Sequence, residues 1–172
     1  PWKCSSNCLY CPNDLRMPKS YLADEPACQR AERTFFDPYL QVAARLKALT
    51  EMGHVTDKVE LIVLGGTWSD YPESYQIWFI RELFRALNDG SQAHESLPAR
   101  KRAYESAGIS CDPESLKRFV SEEQHRIDNR ETTYNQAFDR LYGENDAWTS
   151  VAQWQKATWE ELEAEHLANV DG

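Results

Sequence analysis

Apolar residues recur every three or four positions through Tyr39, Val42, Ala43, Leu46, Leu49 and Met52, a spacing that predicts a helix with one apolar face. Asp37-Pro38 supplies an N-cap and a proline at the first helical position, and Gly53 stands where a glycine ends a helix. The pattern then changes. Lys58-Val59-Glu60-Leu61-Ile62-Val63-Leu64 is a short branched run of the kind that forms a buried parallel strand, closed by Gly65-Gly66. Pro72 opens a second helix with Ile77, Ile80, Leu83, Phe84 and Leu87 on its inner face and Asn88-Asp89-Gly90 at its end. Helix, strand and helix in this order predict an α/β class. Pro1–Pro26 shows no periodicity and reads as a loop rich in Cys, Pro, Asn and Ser.

Beyond Gly90 the pattern is helical with no buried strand. Arg100-Lys101-Arg102 and Glu122-Glu123 read as solvated runs. Asp112-Pro113 caps a helix carrying Leu116, Phe119, Val120 and Ile127, and Tyr134–Tyr142 forms a short helix stopped by Gly143. A further helix is expected over about Asp146–Ala168, with Trp148, Val151, Trp159, Leu162 and His166 along one side. The chain therefore divides into a core segment over 1–90, a helical insertion over 91–158 and a final stretch over 159–172.

Length and composition narrow the class. With 172 residues, 41% hydrophobic and 27% charged, the chain suits one globular domain with a real core. No apolar run approaches the length that spans a bilayer, and Pro1–Cys11 has no apolar stretch of a signal peptide, so a cytoplasmic location without membrane partners is expected. The net charge of −9 argues against this segment alone gripping nucleic acid, because phosphate binding needs clustered Lys and Arg.

Three of the five cysteines crowd together as Cys4-Ser5-Ser6-Asn7-Cys8-Leu9-Tyr10-Cys11, which suggests a metal site more than a disulfide framework. Thiolates at this C-x3-C-x2-C spacing can each ligate one iron of a 4Fe–4S cubane, leaving the fourth iron without a protein ligand. S-adenosylmethionine (SAM) can chelate that iron through its amino and carboxylate groups, and one electron then cleaves its sulfonium to give a 5′-deoxyadenosyl radical. No catalytic side chain beyond the cluster is identified. The alternative is a zinc site with Cys28 or His54 as fourth ligand, making the chain a zinc-stabilised module without chemistry. Gly65-Gly66-Thr67 after the branched run is a second signal, since a glycine pair lets backbone groups approach a ligand closely.

These features are similar to those of radical SAM proteins, which place an aromatic residue such as Tyr10 near the adenine and a turn such as Gly65-Gly66-Thr67 at the SAM amino group. The resemblance narrows further. Cys8-Leu9-Tyr10-Cys11-Pro12, Ser20-Tyr21, Glu25-Pro26, Arg30-Ala31 and Asp37-Pro38-Tyr39-Leu40-Gln41 look like successive motifs of the Elongator catalytic subunit family. So do Gly53-His54, Asp57-Lys58-Val59-Glu60, Gly65-Gly66-Thr67, Pro72, Tyr75 and Phe79-Ile80-Arg81, over about residues 4–90.

That resemblance implies an incomplete radical SAM (β/α) partial barrel with a helical insertion, of bacterial type and from the amino-terminal part of the enzyme. Residues 159–172 would then lead into the next barrel strand. It also implies a tRNA-modifying acyltransferase that makes 5-carboxymethyluridine at wobble uridine 34. The adenosyl radical would take a hydrogen from the acetyl group of acetyl-CoA, and the carbon radical would add to uracil C5. Cys4, Cys8 and Cys11 fall on the cluster ligands, and Lys58 matches a lysine that contacts acetyl-CoA. The first two cysteines lie closer together than in many family members, which bears on substrate detail. Because these residues set SAM cleavage more firmly than the acceptor, a radical SAM enzyme with another substrate is the alternative. tRNA, acetyl-CoA held mainly by a further domain, and an external electron donor are the implied partners. The isolated chain is expected to lack the complete reaction.

Overall fold

The computed structural model describes residues 3–63, 67–143 and 156–171. Among them every regular element is helical: α1 (Pro26–Glu32), α2 (Pro38–Glu51), α3 (Glu73–Asp89), α4 (Ala93–Ser106), α5 (Pro113–Asp128), α6 (Tyr134–Tyr142) and α7 (Trp159–Asp171). Short 3-10 turns cover Trp68–Asp70 and Gly90–Gln92. No helix of the described residues is long and apolar enough to cross a membrane.

The capping signals account for several boundaries. Asp37 accepts a hydrogen bond from the Leu40 N–H at 2.9 Å, with Pro38 in the first turn of α2. Gly53 follows that helix at φ +82°, a conformation only glycine adopts without strain. Asp112 caps α5 through the Ser115 N–H at 2.8 Å. Thr133 and Gln136 form a reciprocal capping box on α6, satisfying two N–H groups that a helix start leaves without partners.

The expected α/β partial barrel is not found, because the described residues contain no strand and no sheet. Residues 58–63 run without regular structure, and Val59, Leu61, Ile62 and Val63 are 41, 36, 67 and 41% exposed. Branched side chains favour an extended backbone, but a strand exists only where a neighbour takes up its N–H and C=O groups. No described segment does so here. The last helix also starts later than expected, at Trp159, and Trp148 and Val151 lie outside the described residues.

Packing joins the helices on two sides. α2 lies against α3 and α4, and α3 against α7. Phe35, Leu40, Tyr104 and Ile109 form one apolar cluster, with the Phe35 and Tyr104 rings stacked at 5.0 Å. A second cluster joins Leu15 of the amino-terminal loop to Val120, Ile127, Tyr134, Ala137 and Phe138 of α5 and α6. The loop is thereby tied down: Tyr134 donates to the Met17 carbonyl at 2.7 Å, and Leu15 N–H donates to Gln124 Oε1 at 3.0 Å.

Charge is buried between α2, α3 and α4. Arg100, expected in a solvated run, instead donates to Glu82 at 2.8 Å and lies 3.9 Å from Asp37. Its guanidinium sits 3.8 Å from the centre of the Tyr39 ring. Asp37 and Glu82 are each only 2% exposed. Burial pushes the Asp37 carboxyl above the usual carboxylate range, opposed by hydrogen bonds from Tyr104 and the Leu40 N–H and by the charge of Arg100.

Candidate functional site

The cysteine loop enters the fold at Cys4. This half-buried residue is bonded on both sides of its peptide by one side chain: Asn135 of α6 accepts from the Cys4 N–H at 3.3 Å and donates to the Cys4 carbonyl at 2.7 Å. The Cys4 thiol donates to Asp70 at 3.2 Å, and Asp70 also accepts from the Ser5 N–H at 3.1 Å and the Ser5 hydroxyl at 2.9 Å. These donors, the Ser5 N–H first among them, hold the Asp70 carboxyl below its ordinary range. Lys19, only 6% exposed, donates to the Ser6 carbonyl at 2.9 Å and to Asn7 Oδ1 at 3.1 Å.

Past Asn7 the loop opens to solvent. Cys8 is exposed, as are Leu9 and Tyr10. The half-buried Cys11 has its sulfur 3.3 Å from the Ser20 hydroxyl, and Ser20 sits at the unusual φ of 90°. All three thiols are free of disulfides; Cys4 faces Asp70, Cys11 faces Ser20 and Cys8 faces solvent. Among the described residues no group of three or more His, Cys, Asp or Glu side chains is gathered to hold a metal ion. The donor set nevertheless fits an iron–sulfur cluster chemically: three thiols free of disulfides share one loop, and three cysteines suffice when the fourth iron takes another ligand.

Lys58 and Thr67 are exposed, and Gly65 and Gly66 lie outside the described residues. The turn after the glycine pair does reach the cysteine loop, however. Asp70 N–H donates to the Thr67 carbonyl at 3.0 Å, and this short turn delivers the Asp70 carboxylate to Cys4 and Ser5. His54, one alternative fourth ligand for zinc, is exposed. The other, Cys28, is 6% exposed, and burial, reinforced by Glu25, pushes its thiol up to about 11.

A cavity of about 1080 Å³ opens between the loop and α5. Cys8 and Asn7 line one side, and Lys117, Gln124 and His125 the other. Sequence reasoning named Cys4, Cys8 and Cys11 but missed Asp70, Lys19 and Asn135. Asp70 stands three residues after Thr67, which is a faint local signal. Asn135 lies 131 residues from Cys4 and carries none.

No family model matches the chain, and no solved structure matches it. Curated proteins do. One group is named for tRNA-uridine acetylation: the "tRNA uridine(34) acetyltransferase" of Dehalococcoides mccartyi is 44% identical over 88 residues, covering 51% of this chain and 19% of that protein. The protein of the same name from Methanocaldococcus infernus is 39% identical over 117 residues, 64% of this chain and 22% of its own length. The second group is "Elongator complex protein 3", represented by the mouse protein at 36% identity over 126 residues, 67% of this chain and 23% of that protein. The chain is homologous to both groups, so the resemblance to the Elongator catalytic subunit family is borne out. It spans about a fifth of the length of the curated relatives it matches.

Proposed function

We propose that this chain is part of an enzyme that modifies wobble uridine 34 of tRNA, by the radical SAM chemistry of the Elongator catalytic subunit family. The observation that carries the reading is the free cysteine triad, in a chain whose relatives are named for tRNA uridine(34) acetylation. Cys4, Cys8 and Cys11 hold a 4Fe–4S cluster in this reading, and three thiolates leave one iron for the amino and carboxylate groups of SAM. When bound, the cluster supplies the electron that cleaves the SAM sulfonium.

The chain's own groups bind and orient. Tyr10, exposed beside Cys11, is available to lie against adenine, and the Gly65-Gly66-Thr67 backbone takes the amino group of SAM. The exposed Lys58 ammonium contacts acetyl-CoA, an anionic ligand that a cation suits. In this reading the acetyl methyl carbon, after losing one hydrogen to the adenosyl radical, would bond to C5. The adduct would lose the C5 proton and return one electron to the external electron donor, and water would hydrolyse the thioester to release CoA and leave the carboxymethyl group.

Anaerobic reconstitution with iron and sulfide tests the cluster directly. About four irons and four sulfides per chain, with charge-transfer absorbance, are expected for a 4Fe–4S site. Stoichiometric zinc without that absorbance overturns the reading. Loss of 5-carboxymethyluridine derivatives from bulk tRNA on deletion of the gene tests the substrate, and unchanged modification counts against it.

A further inference from the structure

Three side chains from three separate parts of the fold converge on the backbone of residues 4–7. The Asn135 carboxamide meets the N–H and the carbonyl of Cys4 together, a two-point contact that sets the orientation of the backbone at Cys4 as well as its position. Asp70 takes the Ser5 N–H and hydroxyl from the side of the Trp68–Asp70 turn. Lys19 is the most telling of the three. A buried ammonium is costly unless acceptors surround it, and Lys19 finds them in the Ser6 carbonyl and Asn7 Oδ1 of this loop, with the Tyr134 ring 5.9 Å away. Burial of Lys19 and the shape of the loop are therefore coupled.

We propose that Asn135, Lys19 and Asp70 are positioning residues of the cysteine loop, fixing the backbone of residues 4–7 so that only the Cys4 and Cys8 side chains have to turn toward one another when a cluster binds. The inference rests on the reading above that these thiols bind iron. It gives the 91–158 stretch a part in the site, because Asn135 belongs to α6 within it. The arrangement keeps the backbone before Cys8 fixed while leaving the Cys8 thiol open to solvent and to the cavity beside α5. Groups that orient metal ligands through hydrogen bonds govern how firmly the metal is kept, and this is the property at stake here.

The test is the rate at which reconstituted protein loses iron to a ferrous chelator under anaerobic conditions. Asn135→Ala and Lys19→Met are expected to lose iron about 10-fold faster than wild type, the lower end of the effect of removing a residue that orients a metal ligand. Lys19→Arg, which keeps a cationic donor, restores most of the difference. Arg140→Ala, which breaks an α6 contact to Glu123 without touching the loop, leaves the rate unchanged and separates positioning from helix stability. If Asn135→Ala does not fold, Asn135→Asp replaces it, since it keeps the acceptor for the Cys4 N–H and loses only the donor. Iron loss at the wild-type rate in the Asn135 and Lys19 variants overturns the proposal. A wild-type chain that takes up no iron overturns it together with the reading it rests on.

Discussion

The contact between α2, α3 and α4 is closed around charge, whereas the cysteine loop is held by its backbone and leaves side chains outside. In the first region Asp37 and Glu82 are almost fully buried, and Arg100, Tyr104 and the Leu40 N–H supply their partners. In the second, Asn135, Asp70 and Lys19 bond to residues 4–7 while Cys8, Leu9 and Tyr10 face solvent. Both regions use polar groups from distant parts of the chain, to opposite ends. Buried charge that is fully paired gives one arrangement and penalises every other. A loop fixed by its peptide groups leaves the Cys8 thiol accessible.

The largest expected effect lies in the closed region. Arg100→Met should lower stability by about 3 kcal/mol, the smaller end of what breaking a buried pair costs, because Arg81 still faces Glu82 at 3.2 Å. Chemical denaturation measures this, and a loss near zero would mean that the charge does not close the contact. Next is a thiol comparison. Cys28, raised from 9.0 to about 11, should at pH 8 carry about 100-fold less thiolate than an ordinary cysteine, so alkylation spares it. Mass spectrometry of the labelled peptides is the measurement, with the exposed Cys8 as the site modified early.

The same thiol sets a pH dependence. Its folded value is raised, so the folded state keeps the proton longer; the stability it contributes is fully present below about pH 9 and lost as pH rises through about 11. A Cys28→Ser variant should show less alkaline destabilisation over that window in thermal melts. Tyr104→Phe sharpens the first region further. It removes the donor at 2.5 Å from a buried carboxylate and should cost about 1–3 kcal/mol, the penalty of a buried acceptor left without its partner. The smallest effect belongs to the exposed run. Ile62→Ser should change stability by no more than about 0.5 kcal/mol, as surface substitutions do. A loss above about 2 kcal/mol would show that Ile62 is packed, because only core truncations of this kind cost so much.

The comparisons and the structure apportion the sequence reading unevenly. The chain's relatives bear out the family resemblance. The cysteine spacing named a donor set, while the residues that hold its loop came to light only in the fold. The α/β expectation failed on residues 58–63, where a hydrophobic run of the right length has no strand beside it among the described residues.

The sequence by itself determined what depends on neighbours along the chain. Asp37-Pro38, Asp112-Pro113, Gly53 and Gly143 mark helix boundaries because capping joins groups only a few residues apart. Tertiary structure alone decided that Arg100 is a half-buried partner of two buried carboxylates instead of a solvated charge, that Asn135 clasps Cys4 and that Lys19 bonds to the loop. Each depends on a carboxylate, amide or carbonyl brought close from elsewhere in the chain. A charged or amide side chain looks the same in sequence whether water or a distant residue satisfies it, and only the folded chain distinguishes the two.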